Sequence, residues 1–291
     1  MIPRTRRRAL LAAALSLPVL LVAAKMVRVY RAAQVEFHLP PREVGPPPSD
    51  LRGAEAVAFL SRDGAQLRGW WVPPAGGASV ILLHGSENDR RQLLPEARLL
   101  SSHGFGVLMF DWPGLGESSG RVTWSRTEPE ALLGALDWLE RRAPGQRTGA
   151  LGFSIGASMM LCAAALDQRL RALVVEGIVL DIDEEVTREY GSWGPISYAA
   201  ARWGKRAGGW DPGAAKPLDS VAKLQGRPLL IINGGADPIV PPSDARRFFD
   251  AAPRPKDLWV IPGARHGGYA DAAPDQYGPR ILSFFQAALG G

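Results

Sequence analysis

Three uninterrupted apolar runs, Val80-Ile81-Leu82-Leu83, Leu173-Val174-Val175 and Leu229-Leu230-Ile231-Ile232, constrain this chain more than any other feature. A strand wetted on one face alternates apolar and polar residues. A continuous run must be covered on both faces, which calls for a mainly parallel sheet between layers of helices. The flanking pattern agrees and predicts strands over 54–60, 66–72, 79–83, 106–110, 148–153, 172–175, 228–232 and 257–261. Helical periodicity falls between them, over 90–102, 128–141, 155–167, 244–251 and 276–288. Arg62-Asp63-Gly64 turns the first two strands into an antiparallel hairpin at the sheet edge. The expected class is α/β, with eight mostly parallel strands and helices on both faces.

The chain has 291 residues, 46% hydrophobic and 22% charged, enough for one domain with an ordinary core and unlike a disordered or fibrous chain. Its net charge of +5 would raise nucleic acid as a partner, but seven basic residues and no acidic ones lie before position 32. Without them the balance is slightly acidic, so the body carries no electrostatic footprint for a phosphate backbone. The single cysteine, Cys162, excludes an internal disulfide and a cysteine zinc site; its apolar surroundings in sequence point to core packing.

Arg4, Arg6, Arg7 and Arg8 precede an apolar run over 9–24 broken only by Ser16 and Pro18. This reads as a membrane signal-anchor over 1–31, with a signal peptide cleaved after the small residues at 22–24 as the alternative. With the arginines inside, the bulk of the chain faces outward, although Lys25, Arg28 and Arg31 weigh against that orientation. Residues 32–53, rich in proline, read as a stiff polyproline-like tether, and 54–291 as the main domain. An insert after the sixth strand, at about 178–226, carries Tyr190, Trp193, Tyr198, Trp203 and Trp210. It reads either as a lid over a ligand pocket, with Trp193 and Trp203 touching substrate, or as a minor core of its own.

Gly-x-Ser-x-Gly occurs twice, as Gly116-Glu117-Ser118-Ser119-Gly120 and Gly152-Phe153-Ser154-Ile155-Gly156. A nucleophile elbow needs a strand running into the serine and a helix leaving it. Ser154 meets both conditions, whereas Ser118 follows Pro113 and Gly114 in a polar loop.

A serine hydroxyl needs a base in hydrogen-bond reach, itself held by an acid. His38 lies in the tether, His103 caps a helix and His84 ends a buried strand. His266, in the loop after the last strand, is the candidate base. Asp237, directly after the seventh strand, is the candidate acid, with Glu176 next and Asp181 or Asp183 behind it. The backbone amides of Ile155 and Ser86 are the candidate oxyanion donors, with Gly85 allowing close approach.

These pieces, with His84-Gly85-Ser86, the loop Asp111-Trp112-Pro113-Gly114-Leu115-Gly116-Glu117-Ser118 and Gly235-Ala236-Asp237-Pro238-Ile239-Val240-Pro241, resemble the α/β-hydrolase superfamily of serine hydrolases from about residue 54 onward. With the N-terminal apolar segment, the chain is similar to membrane-associated hydrolases of the lysophospholipase, depalmitoylase and S33-aminopeptidase-like groups. The resemblance implies hydrolysis of a carboxylic ester or thioester, in a small-molecule or lipid-like acyl substrate, through an acyl-enzyme on Ser154. No metal or organic cofactor is required. A non-catalytic membrane-tethered binding protein on the same fold is the alternative, and within enzymes a peptidase or acyltransferase.

Overall fold

A computed structural model of the protein describes residues 4–290, with side-chain surroundings described from Leu17 onward. Eight strands form one sheet: β1 Glu55–Leu60, β2 Gln66–Val72, β3 Ala78–Leu83, β4 Gly106–Phe110, β5 Arg147–Phe153, β6 Leu170–Glu176, β7 Leu229–Gly234 and β8 Lys256–Ile261. The helices are α1 Arg4–Ala32, α2 Leu94–Ser102, α3 Thr127–Arg142, α4 Ile155–Ala164, α5 Ile182–Tyr190, α6 Pro195–Gly208, α7 Pro217–Val221, α8 Pro242–Ala251, α9 Tyr269–Ala272 and α10 Pro274–Leu289.

The strand order is β1-β2-β4-β3-β5-β6-β7-β8. β1 pairs antiparallel with β2, and β2 with β4, while all other neighbours are parallel. This is the α/β-hydrolase fold, with the expected hairpin at one edge. Every residue of β3, β4 and β7 is buried, as the apolar runs require, while edge strand β1 is mostly wet.

The period of two sorts the sheet's side chains into two cores. Ile81, Leu108, Leu173 and Ile231 pack under α3, α4 and α8. Val80, Val107, Val174 and Leu230 pack under α2 and α10. Adjacent Trp70 and Trp71 fall on opposite faces and are both fully buried, each worth a few kcal/mol of apolar transfer, about 1.5–3 for a large side chain.

The expected helix over 90–102 starts instead as a 3₁₀ turn, Arg90–Leu93, and becomes α-helical at Leu94. Pro95 cannot donate back into the preceding turn, so it opens a new helix rather than extending one. The insert holds α5, α6 and α7, which a pattern dominated by aromatics and glycines concealed.

The proline-rich stretch expected as a tether lies against the domain as a strap. Arg42 N donates to Gly116 O at 3.0 Å, Val44 N and Gly45 N donate to Glu117 Oε1 at 3.2 and 3.0 Å, and Trp70 Nε1 donates to Gly45 O at 3.1 Å. Composition predicts an extended backbone there but is silent on what that backbone bonds to. Among the described residues no helix is long and apolar enough to cross a membrane. The side chains over 9–16, half of the expected span, lie outside the described residues.

Candidate active site

β5 runs straight into Ser154, and α4 leaves it at Ile155. Ser154 has φ +54° and ψ −127°, a conformation that costs a residue with a Cβ on the order of 1–3 kcal/mol and turns its side chain out of the sheet. The turn is held by Ser154 N donating to Glu176 O at 2.7 Å. Gly156 is obligatory by close approach: a Cβ there would stand 2.3 Å from the His84 carbonyl oxygen. The same crossing brings Gly85 against the Phe153 ring and the Ser154 side chain.

His266 Nε2 lies 2.9 Å from Ser154 Oγ, and His266 Nδ1 lies 2.8 Å from Asp237 Oδ2. The second contact places the proton on Nδ1, leaving Nε2 as the lone-pair nitrogen facing the hydroxyl. Phe153 packs on the imidazole with ring centroids 5.0 Å apart. Asp237 is fully buried at its side chain, and its other oxygen, Oδ1, accepts from Ile239 N at 2.8 Å and Val240 N at 2.9 Å. Burial pushes this carboxyl's pKa up, but the His266 contact and the two amides outweigh it and hold the pKa below the ordinary carboxylate value. The acid and base loops are tied together by Gly235 N to Ile261 O at 2.8 Å and Ala236 N to Ala264 O at 2.9 Å. Ser154, His266 and Asp237 thus form one hydrogen-bonded line across residues far apart in sequence.

Ile155 is the first residue of α4, where the helix geometry leaves the amide without an intrahelical partner. Ser86 follows Gly85 at the end of β3, on the loop that passes the elbow.

The other candidates have structural work. Ser118 Oγ donates to Asp111 O at 2.7 Å and accepts from Arg68 N at 2.9 Å, which stitches the loop after β4 to β2. His84 is buried, donates from Nδ1 to Gly85 O at 2.8 Å and accepts from Trp112 N at 3.2 Å. Burial pushes its pKa down to about 4, so it stays neutral at physiological pH. His103 Nδ1 lies 2.8 Å from Leu99 O at the end of α2. Glu176 is buried and 2.8 Å from Tyr277 Oη, a partner outside the Ser154–His266–Asp237 line. Asp181 caps α5 through Asp183 N at 2.7 Å, and Asp183 pairs with Arg202 Nε at 2.6 Å. Cys162 is buried, and burial pushes its thiol up to about 11, an inert core group.

The insert's aromatics divide by burial. Tyr190 and Trp210 are buried in the core. Trp193 and Trp203 are 56% and 64% exposed; Trp193 meets Tyr190 edge-on, and Trp203 packs at a tilt against Tyr30 of α1. Sequence reasoning missed Arg188, whose Nη1 donates to Ile239 O at 2.6 Å beside the acid. Nothing local marks that arginine, because its partner lies 51 residues away.

Fold and site geometry together define an α/β hydrolase architecture. A family model described as the alpha/beta hydrolase fold matches residues 78–196, a stretch that includes the elbow. Among curated proteins, the uncharacterized protein YfhR of Salmonella typhi is 28% identical over 286 residues, covering 89% of this chain and 90% of the relative. An uncharacterized Mycobacterium tuberculosis protein, Rv2307c, is 28% identical over 230 residues, 76% of each chain. Among solved structures, the Pyrococcus furiosus esterase Pf2001 superimposes with a TM-score of 0.74 at 25% identity, covering 87% of this chain and 99% of that one.

Proposed function

We propose that this protein is a serine hydrolase that cleaves a carboxylic ester or thioester through an acyl-enzyme on Ser154. The observation that carries the reading is the unbroken line from Ser154 Oγ through the His266 imidazole to Asp237, at 2.9 and 2.8 Å, on a strained elbow. His266 Nε2 takes the Ser154 proton as Oγ bonds to the substrate carbonyl carbon, and the amides of Ile155 and Ser86 hold the resulting oxyanion. The oxyanion collapses, the bond to the leaving alcohol or thiol breaks, and His266 gives that group the proton. Water, deprotonated by His266, attacks the acyl carbon, and the acid leaves as the proton returns to Ser154. Asp237 keeps the imidazole in its Nδ1–H tautomer and balances its positive charge. The similarity to an archaeal esterase supports the ester class.

The second part of the reading is attachment to a membrane through α1, with the domain outside the cytoplasm. Leu17, Val19, Leu20 and Leu21 of α1 are exposed, and a run of exposed large apolar side chains ahead of Lys25 and Arg28 suits attachment to lipid. A mature N-terminus near Lys25, read by mass from native material, excludes the anchor.

The decisive experiment is labelling with a fluorophosphonate. The wild-type protein is expected to label at one site, Ser154→Ala to lose the label and Ser118→Ala to keep it. Equal labelling of the Ser154→Ala protein overturns the nucleophile, and no labelling of the wild-type protein returns the chain to the class of non-catalytic binding proteins.

A further inference from the structure

Helix α6 of the lid packs directly on the N-terminal helix. A Cβ on Gly204 of α6 would stand 2.5 Å from the Tyr30 carbonyl oxygen, so α1 and α6 touch backbone to backbone. Around that contact the Tyr30 and Trp203 rings lie 4.8 Å apart, and Lys25 Nζ donates to Trp193 O at 2.7 Å. Buried Lys205 pairs with Glu36, and Val29, Ala33 and Phe37 are buried below the joint.

Directly beyond the joint the surface changes character. Leu17, Val19, Leu20 and Leu21 of α1 are 58–67% exposed, and on the lid Trp193, Ile196 and Trp203 are 44–64% exposed. A cluster this apolar is more than the scattered exposed hydrophobes of an ordinary surface. It is bordered by exposed Lys25, Arg28 and Arg31, and the chain holds no acidic residue before Glu36. An apolar face bordered by cations, with tryptophans at the boundary, is complementary to one environment, the headgroup level of an anionic lipid leaflet.

We infer that the Trp193–Trp203 face of the lid seats with α1 on an anionic leaflet, and that the enzyme takes a long-chain acyl ester of a membrane lipid from that leaflet. The inference rests on the serine hydrolase reading for the identity of the substrate, but not for the docking itself. The geometry joins the two. The lid that bears the tryptophans also bears Arg188, which holds the Ile239 carbonyl two residues from Asp237. Two hydrogen bonds, Arg188 to Ile239 O and Ile239 N to Asp237 Oδ1, therefore connect the insert to Asp237. A lipid ester carbonyl sits at headgroup depth, so docking of this face there brings the enzyme to the level of that substrate.

Two measurements on the full-length protein, reconstituted with vesicles of phosphatidylglycerol and phosphatidylcholine, separate the claims. The first compares hydrolysis of p-nitrophenyl palmitate in the vesicles with that of p-nitrophenyl acetate in solution, for wild type and Ile196→Asp. Position 196 is in the first turn of α6, where an acid suits the helix, so the fold is kept. Placing that charge against an anionic leaflet should lower the vesicle rate about tenfold or more, the effect of 1.4 kcal/mol, with the acetate rate unchanged. Equal vesicle rates overturn the inference. The second reads the fluorescence difference between wild type and Trp203→Phe in vesicles of brominated phosphatidylcholine and phosphatidylglycerol. Quenching of the difference signal is expected, and its absence overturns the docking. If neither ester is hydrolysed by the wild type, the hydrolase reading fails while the quenching still decides the docking.

Discussion

Arg188 of α5 donates from Nη1 to the backbone carbonyl of Ile239 at 2.6 Å, and from Nη2 to Asp244 of α8, also at 2.6 Å. Ile239 N in turn donates to Asp237 Oδ1 at 2.8 Å, so a residue of the insert braces the loop that positions Asp237. The arginine is partly exposed, which limits the contact to about 1 kcal/mol. Arg188→Met is expected to lower kcat on a soluble ester about threefold to tenfold with little change in KM, and Arg188→Lys to recover part of the loss. Steady-state kinetics on p-nitrophenyl acetate check this, and a change confined to KM would contradict the bracing role.

Ser118 offers the cleanest contrast between two serines in one motif. Its hydroxyl satisfies a buried carbonyl and a partly buried amide at once. Ser118→Ala should therefore cost about 1–3 kcal/mol of stability while leaving the rate per folded molecule near that of wild type. Ser154→Ala should do the reverse, removing about a thousandfold or more of the rate. Thermal melts paired with active-site titration separate these two outcomes.

The depressed pKa of Asp237 fixes the sign of its pH dependence. Burial opposes ionisation, but His266 and the amides of Val240 and Ile239 win, so the native carboxyl is more acidic than the ordinary value of about 3.9. Its contribution to stability is fully present above that value and is lost as the pH falls through the native pKa. Asp237 should therefore stay ionised at every pH above its ordinary value. Asp237→Asn removes the charge and favours the wrong tautomer, and a fall in kcat of about 10²–10⁴ is expected. A fall below about tenfold, measured on a soluble ester, would show that His266 is oriented by another group.

Beneath the site, Tyr277 Oη lies 2.8 Å from both Glu96 Oε1 and Glu176 Oε1. A phenol holds one proton and can donate to only one of them, so the second contact requires a protonated carboxyl as donor. Burial, then repulsion from Glu96, holds the Glu176 pKa well above the ordinary value. A carboxyl raised in this way stabilises the fold at low pH, below the unfolded pKa of about 4.3, and loses that contribution as the pH rises through the native value. Glu176→Gln, which is neutral at every pH, should flatten the decline of Tm on the alkaline side. A rise of roughly 2 °C or more at pH 8 relative to wild type is expected, since 1 kcal/mol moves Tm by about 2–4 °C at comparable size. Melting curves from pH 5 to about 9 test it, and parallel curves for the two proteins would contradict the shared proton.

Much of this protein could be read from residue order alone, because the physics involved is local. Apolar runs and periodicity located all eight strands, since a strand's burial is written in its own side chains. Ser154 could be told from Ser118 because an elbow is defined by the strand before it and the helix after it. Asp237 and His266 could be chosen because loops at the carboxyl ends of parallel strands converge on one edge.

Tertiary structure decided whatever depends on a partner distant in the chain. It set the 2.9 and 2.8 Å spacings of the Ser154–His266–Asp237 line, since these depend on how the loops after β5, β7 and β8 pack together. It turned the proline stretch into a strap, because Glu117 and Gly116 lie more than 70 residues away from the backbone they bond. It assigned Glu176 to Tyr277 rather than to His266, sent Tyr190 inward and Trp203 outward, and joined α6 of the insert to α1. A side chain's own chemistry states what it can bond, and only the folded chain brings the second group within reach.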